Sequence, residues 1–222
     1  MTGEGTLEIV PGSSYNANNI SEDSNVTGGS TYKDVFLSGE LISNIDGTIN
    51  QRIIVTDDLV VGEGLHIYVA GQFIVEEGAT VTFQTGSSVI FRDGSTATIN
   101  GDITVQSGKT TSTLQIESGA TVDVNGSVTL EGADSFSADN SAEININGTF
   151  EIGEDASATL GNATVATGAQ LYVYGLVSGT VLNNGTVTID SEGISGASPA
   201  NINGFNIQMG AGATVDVKNI YG

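Results

Sequence analysis

Strictly alternating apolar and polar residues fill this chain, yet each run ends within a few residues at a glycine or an Asn-Gly pair. The block GATVDV stands at 119–124 and again at 212–217, with a close copy, GATVTF, at 78–83. Period-two alternation turns Val122 and Val124 to one side of a strand and Thr121 and Asp123 to the other. Read this way, the inward positions are Leu65, Ile67, Val69; Phe73, Val75; Val81, Phe83; Val89, Phe91; Ala97, Ile99; Ile103, Val105. They continue through Leu114, Ile116; Ile144, Ile146; Phe150, Ile152; Leu171, Val173; Val187, Ile189; Phe205, Ile207; Val215, Val217. Such strands are too short for a sandwich with long hairpins. Glycine at 31 positions and the lack of apolar residues at helical spacing argue against helices.

The turns keep time. Gly78, Gly86 and Gly94 fall eight residues apart, which suits the three sides of a triangular coil. A second marker sits between strands at Gly47, Gly71, Gly101, Gly126, Gly148, Gly175 and Gly204, with a mean interval of about 26 residues. A period of that size is the mark of a solenoid. Asn-Gly pairs also suit type I′ hairpins, so an antiparallel meander stays open as the alternative. The expectation is an all-β, single-chain parallel β-helix (β-solenoid) of about seven coils. At ~4.8 Å per coil it would stand roughly 35 Å tall. Glycine and asparagine at the corners are expected to supply positive-φ conformations. The repeat domain spans 32–222. Residues 1–31 hold one strand candidate, LEIV at 7–10, and a Ser/Asn/Gly-rich loop that would cap the first coil or reach a neighbouring subunit.

The stretch IVTDDLVVGEGLHIYVAGQFIVEEGATVTF (54–83) resembles the opening coils of right-handed parallel β-helix repeat proteins of bacterial and archaeal cell surfaces. Adhesin stalks, surface-layer proteins and cell-sheath proteins share this phrasing. The resemblance covers about 30 residues well and the looser pattern runs to residue 222. It implies the fold and a structural surface role.

Acidic residues outnumber basic ones 26 to 5, for a net charge of −21. Phosphate backbones need Lys/Arg clusters, and here the bases Lys33, Arg52, Arg92, Lys109 and Lys218 stand singly, so nucleic acid is excluded as a partner. Anionic membrane surfaces are disfavoured by the same charge. No apolar run approaches the ~18 residues of a spanning helix, so membrane insertion is not expected. Cysteine is absent, which removes disulfides and thiolate metal sites. The first residues lack a signal peptide's basic and apolar regions. That leaves a cytosolic protein or a mature segment given a starting Met, and the composition, which resembles that of secreted surface arrays, favours the second and an extracellular location.

Chemistry-bearing residues are few. His66 is the only histidine and alternates outward between Leu65 and Ile67. No carboxylate pair or base cluster recurs in register, so a polysaccharide lyase or hydrolase is the weaker alternative and no enzyme is expected. No cofactor is expected beyond calcium. Acids gather at turns, at Glu22-Asp23, Asp57-Asp58, Glu76-Glu77, Glu154-Asp155 and Asp190 with Glu192. Oxygen ligands at turns suit Ca²⁺, and Asp57, Asp58, Glu76 and Glu77 are the first candidates. Six Asn-x-Ser/Thr sequons occur, at Asn19, Asn25, Asn125, Asn147, Asn162 and Asn184; Asn19 and Asn25 are the glycosylation candidates. Thr-x-Thr at 80–82, 96–98, 111–113 and 186–188 is too irregular for an ice-binding ladder. Outward Tyr68, Tyr172 and Tyr174 would form a stacking platform if the chain binds cell-wall or host glycans. The leading expectation is a self-associating building block of a sheath, surface layer or filament. An adhesin stalk or glycan-binding module is the alternative.

Overall fold

In a computed structural model, which describes residues 3–9, 30–41, 48–106, 108, 110–131, 135–190 and 204–218, the alternating runs become strands, most of them four residues long. The chain opens with β1 (Gly3–Ile9), β2 (Ser30–Leu41), β3 (Thr48–Ile49), β4 (Arg52–Val61) and β5 (His66–Val69). Next come β6 (Gln72–Val75), β7 (Thr80–Phe83), β8 (Ser88–Phe91), β9 (Thr96–Ile99), β10 (Asp102–Val105) and β11 (Thr113–Ile116). The following turns use β12 (Thr121–Val124), β13 (Ser127–Leu130), β14 (Ser135–Ala138), β15 (Glu143–Ile146), β16 (Thr149–Ile152) and β17 (Ser157–Val165). The last are β18 (Gln170–Val173), β19 (Leu176–Asn183), β20 (Thr186–Asp190), β21 (Phe205–Met209) and β22 (Thr214–Lys218).

Every pairing is parallel, and each joins a strand to the one a full turn away. The result is a parallel β-solenoid of about seven three-sided turns. A first face runs through β6, β9, β12 and β15 to the second half of β17. A second face runs through β7, β10, β13, β16, β18, β20 and β22. A third stacks β3, β5, β8, β11, β14 and the start of β17. The antiparallel meander is excluded by these ladders. β1 extends the first face by pairing with β2, Leu7 opposite Val35 and Ile9 opposite Leu37. Residues 10–29, which hold most of the Ser/Asn/Gly-rich stretch together with Asn19 and Asn25, and Gly47 lie outside the described residues.

The repeated phrase is a corner. In Gly78-Ala79-Thr80-Val81 the glycine has φ +85°, and the Ala79 N–H donates to the Glu76 carbonyl at 3.1 Å, closing a four-residue turn. Ala79 then tucks into the core, Thr80 points outward and Val81 points inward. The same turn recurs at 117–120, 166–169 and 210–213. It stands at more than one corner: at 76–79 it leads from the first face to the second, and at 117–120 from the third to the first. The phrase marks a corner and not a whole turn.

Asn-Gly corners work differently, which corrects the expected positive φ. Gly101, Gly126 and Gly148 are outside the left-handed region. A Cβ on Gly126 would run into the carbonyl oxygen of Gly101, and one on Gly148 into that of Gly126. Glycine is needed because successive turns touch through their backbones there. Gly204, at φ +80°, does have the left-handed conformation expected. Gly71 and Gly175 stand at other corners than Gly101, Gly126 and Gly148, so the marker interval does not measure one turn. On the second face Thr80 pairs with Asp102, Asp102 with Ser127, Ser127 with Thr149, Thr149 with Gln170 and Gln170 with Thr186. The steps are therefore 22, 25, 22, 21 and 16 residues. Corners absorb the differences while the faces keep register.

Inside, like stacks on like. Val81, Ile103, Val128, Phe150, Leu171 and Val187 form one inward column, all buried. Burying each such side chain contributes about 1.5–3 kcal/mol before entropy is subtracted. Edge-to-face pairs Phe73–Phe91 (centroids 5.7 Å apart) and Phe136–Phe150 (5.0 Å) add to the packing. All expected inward residues are buried except five. Leu65, Phe205, Ile207 and Val215 are half-buried, and Val217 is exposed.

Candidate functional site

Three surfaces concentrate what chemistry the described residues offer. The first is the last rung, β21 and β22. In register, Ile207 lies over Val181, Met209 over Asn183, Val215 over Val187 and Val217 over Ile189. Those lower residues are all buried, whereas Met209 is 53% and Val217 49% exposed. These core positions have no layer above them among the described residues, and β21 and β22 each pair on one edge alone there. Asn183 sits buried just beneath. Its Oδ1 accepts from the Gly185 N–H and its Nδ2 donates to the Thr214 carbonyl, both at 2.9 Å. This polar plug ties the last rung to the one below.

The second surface is the corner between the first and second faces. Asp57-Asp58 and Glu76-Glu77 occupy it on adjacent turns, all four exposed. The structure thus brings the calcium candidates to one edge. Among the described residues, however, no group of three or more His, Asp or Glu is placed to hold a metal. Higher up, the same corner carries Asn100, Asn125 and Asn147. Asn125 Nδ2 donates to Asn100 Oδ1 at 2.8 Å, and Asn147 Nδ2 donates to Asn125 Oδ1 at 2.9 Å. Two of the sequon asparagines are therefore rungs of an amide ladder. The sequence showed Asn-Gly five times but not that the pairs at 100, 125 and 147 would coincide; the roughly turn-length spacing was the available signal.

The third surface is aromatic. Tyr172 and Tyr174 stand together on the outward side of the second face, half-buried, with rings parallel to within 7° and centroids 6.2 Å apart. The Tyr172 hydroxyl donates to Gln170 Oε1. Burial first, then the negative charges of Glu151 and Asp190 and the neighbouring Tyr172, hold the Tyr174 phenol above its ordinary pKa. Lys218 Nζ lies 3.1 Å from Asp216 Oδ2 beside them. Tyr68 does not join the pair. It lies on the third face, with the Arg92 guanidinium 4.9 Å above its ring, and Arg92 Nη1 meets Glu117 Oε1 at 2.5 Å. The expected three-tyrosine platform is corrected to a pair. On the same face as Tyr68, His66 Nδ1 lies 2.7 Å from Ser88 Oγ.

A shallow hollow also opens where the third face meets the first, lined by Glu117, Asp139, Asn140 and Thr159. Asp139 Oδ1 accepts from the Ser141 N–H at 2.9 Å and from its hydroxyl at 2.7 Å, which holds the carboxyl below its ordinary pKa. Both of its acids are already engaged, Glu117 with Arg92 and Asp139 with Ser141. The Thr-x-Thr stretches at 80–82 and 96–98 fall on different faces, and 186–188 is several turns from 80–82. Comparison with protein-family models, with curated proteins and with solved structures finds no match to this chain.

Proposed function

We propose that the chain is a non-enzymatic structural element that associates with itself, a building block of an extracellular assembly such as a sheath, surface layer or filament. The observation that carries this reading is the last rung, whose inward-register Met209 and Val217 are exposed where the equivalent residues of lower turns are buried. A parallel rung whose outer edge is unpaired among the described residues, and whose apolar side chains are exposed, is satisfied by another rung of the same kind. A second copy set head to tail would supply one, and a head-to-tail contact that does not close propagates into a fibre. The net charge of −21 opposes that contact. Association should therefore strengthen when calcium screens the acidic corners or when protonation removes their charge.

Light scattering with negative-stain microscopy on the purified chain tests this, in chelator, in millimolar calcium and at about pH 4. The expected result is filaments, sheets or tubes in the last two conditions. Met209→Asp with Val217→Asp should suppress them while leaving the β-sheet circular dichroism signal unchanged. A monomer under all conditions overturns the reading.

A further inference from the structure

We propose that the outward side of the second face, centred on Tyr172 and Tyr174, binds an uncharged polysaccharide chain. This site lies on the flank of the solenoid and stands independently of how its ends associate. The two rings are parallel to within 7° with centroids 6.2 Å apart, an offset arrangement in which neither ring covers the whole face of the other. Aromatic face is therefore left for the C–H surface of a sugar ring, the usual partner of a flat π-system that also carries a hydroxyl. The rings are held in place. Tyr172 lies within, and Tyr174 directly follows, a strand paired on two sides, β18 between β16 and β20, and the Tyr172 hydroxyl is fixed by Gln170. A platform that is already ordered loses little entropy on binding.

The surroundings extend the site along the solenoid axis. Thr129, Glu151, Tyr172 and Thr188 are in register on successive turns and all are partly exposed. Rungs about 4.8 Å apart thus present a hydroxyl, a carboxylate, a ring and a hydroxyl in a line. A polymer lying along the axis meets hydrogen-bonding groups above and below the point where it stacks.

Charge selects the class of polymer. Glu151, Asp190 and Asp216 flank the rings, Lys218 is engaged by Asp216, and the whole chain is strongly acidic. A polyuronate or sulfated glycan is repelled there, whereas an uncharged hexose polymer loses nothing to the field and can donate its hydroxyls to the carboxylates.

Soluble uncharged glucans and mannans, with a polyuronate as the anionic comparison, test this by calorimetry or by quenching of tyrosine fluorescence. At least one uncharged polymer should bind and the polyuronate should not. Replacing both rings, Tyr172→Ala with Tyr174→Ala, should weaken binding about tenfold or more. The paired Tyr→Phe variant, which keeps the ring faces, should stay within about threefold of the parent. Tyr68→Ala, on another face, should bind as the parent does. Thr188→Glu gives a second route: a charge beside the rings should weaken binding with all tyrosines present. The proposal is overturned if no uncharged polymer binds, if the double alanine variant binds undiminished with its thermal unfolding unchanged, or if the polyuronate binds more tightly.

Discussion

Phe150 and Val217 occupy the same face and the same inward parity, yet their surroundings differ completely. Phe150 is fully buried between Val128 and Leu171 and meets Phe136 edge-on. Val217 rests on Ile189 and is otherwise exposed. Parity decides which way a side chain points, and only a neighbouring turn decides whether it is covered. In a solenoid the core belongs to the stack.

The sharpest test of that contrast is truncation at both places. Phe150→Ala should cost about 4 kcal/mol, because it leaves a cavity between two turns and removes an aromatic pair. Val217→Ala should cost less than about 1 kcal/mol, since half of its surface is already in water. Urea unfolding followed by circular dichroism measures both, and equal losses would break the comparison. Gly126→Ala comes next, at about 3 kcal/mol, because its Cβ has only the backbone of the turn below to push against. Thermal unfolding of this variant should fall well below that of Gly78→Ala, where nothing lies within 4 Å and only the φ of +85° is strained.

A smaller effect should have the opposite sign. Ser95 fills the corner position that alanine holds at 79 and 120, and its buried hydroxyl has no partner among the described residues. Ser95→Ala should stabilise the middle of the stack by about 1 kcal/mol, read as a raised denaturation midpoint. Least of all is Asp139, exposed at a corner. Its carboxyl is held below the ordinary range by Ser141, so it adds stability above its unfolded pKa and loses it as pH falls through the lower folded value. The gap in melting temperature between the parent and Asp139→Ala should therefore be present at neutral pH and close in acid.

Much of this was legible in the sequence. Alternation fixed the inward residues from Ile67 to Ile189 correctly, because strand parity is a local property that each short run carries within itself. What failed needed knowledge of the next turn. Asn100, Asn125 and Asn147 could be seen as corner residues, but their ladder depends on steps of 25 and 22 residues landing on one corner. Gly71 and Gly175 looked like the same marker and stand at other corners. Tyr68 shares the outward parity of Tyr172 and Tyr174, but parity does not say which of three faces a strand joins. Asn183 went unnoticed because an asparagine at an inward position reads as a break in the pattern. Its hydrogen bonds, one reaching the Thr214 carbonyl and one from the Gly185 N–H, are what make that position tolerable.

The direction of the main-chain bonds has a mechanical consequence. They run from turn to turn, nearly along the axis, as when Thr121 N–H reaches the Ser95 carbonyl and Glu143 N–H reaches that of Ala120. Tension applied along the axis loads them one turn at a time, so a rod of this kind unravels from a terminus at modest force, each coil released in sequence. Load across the axis is shared by every coil and by the packed interior at once. Such a molecule should resist load across its axis better than load along it.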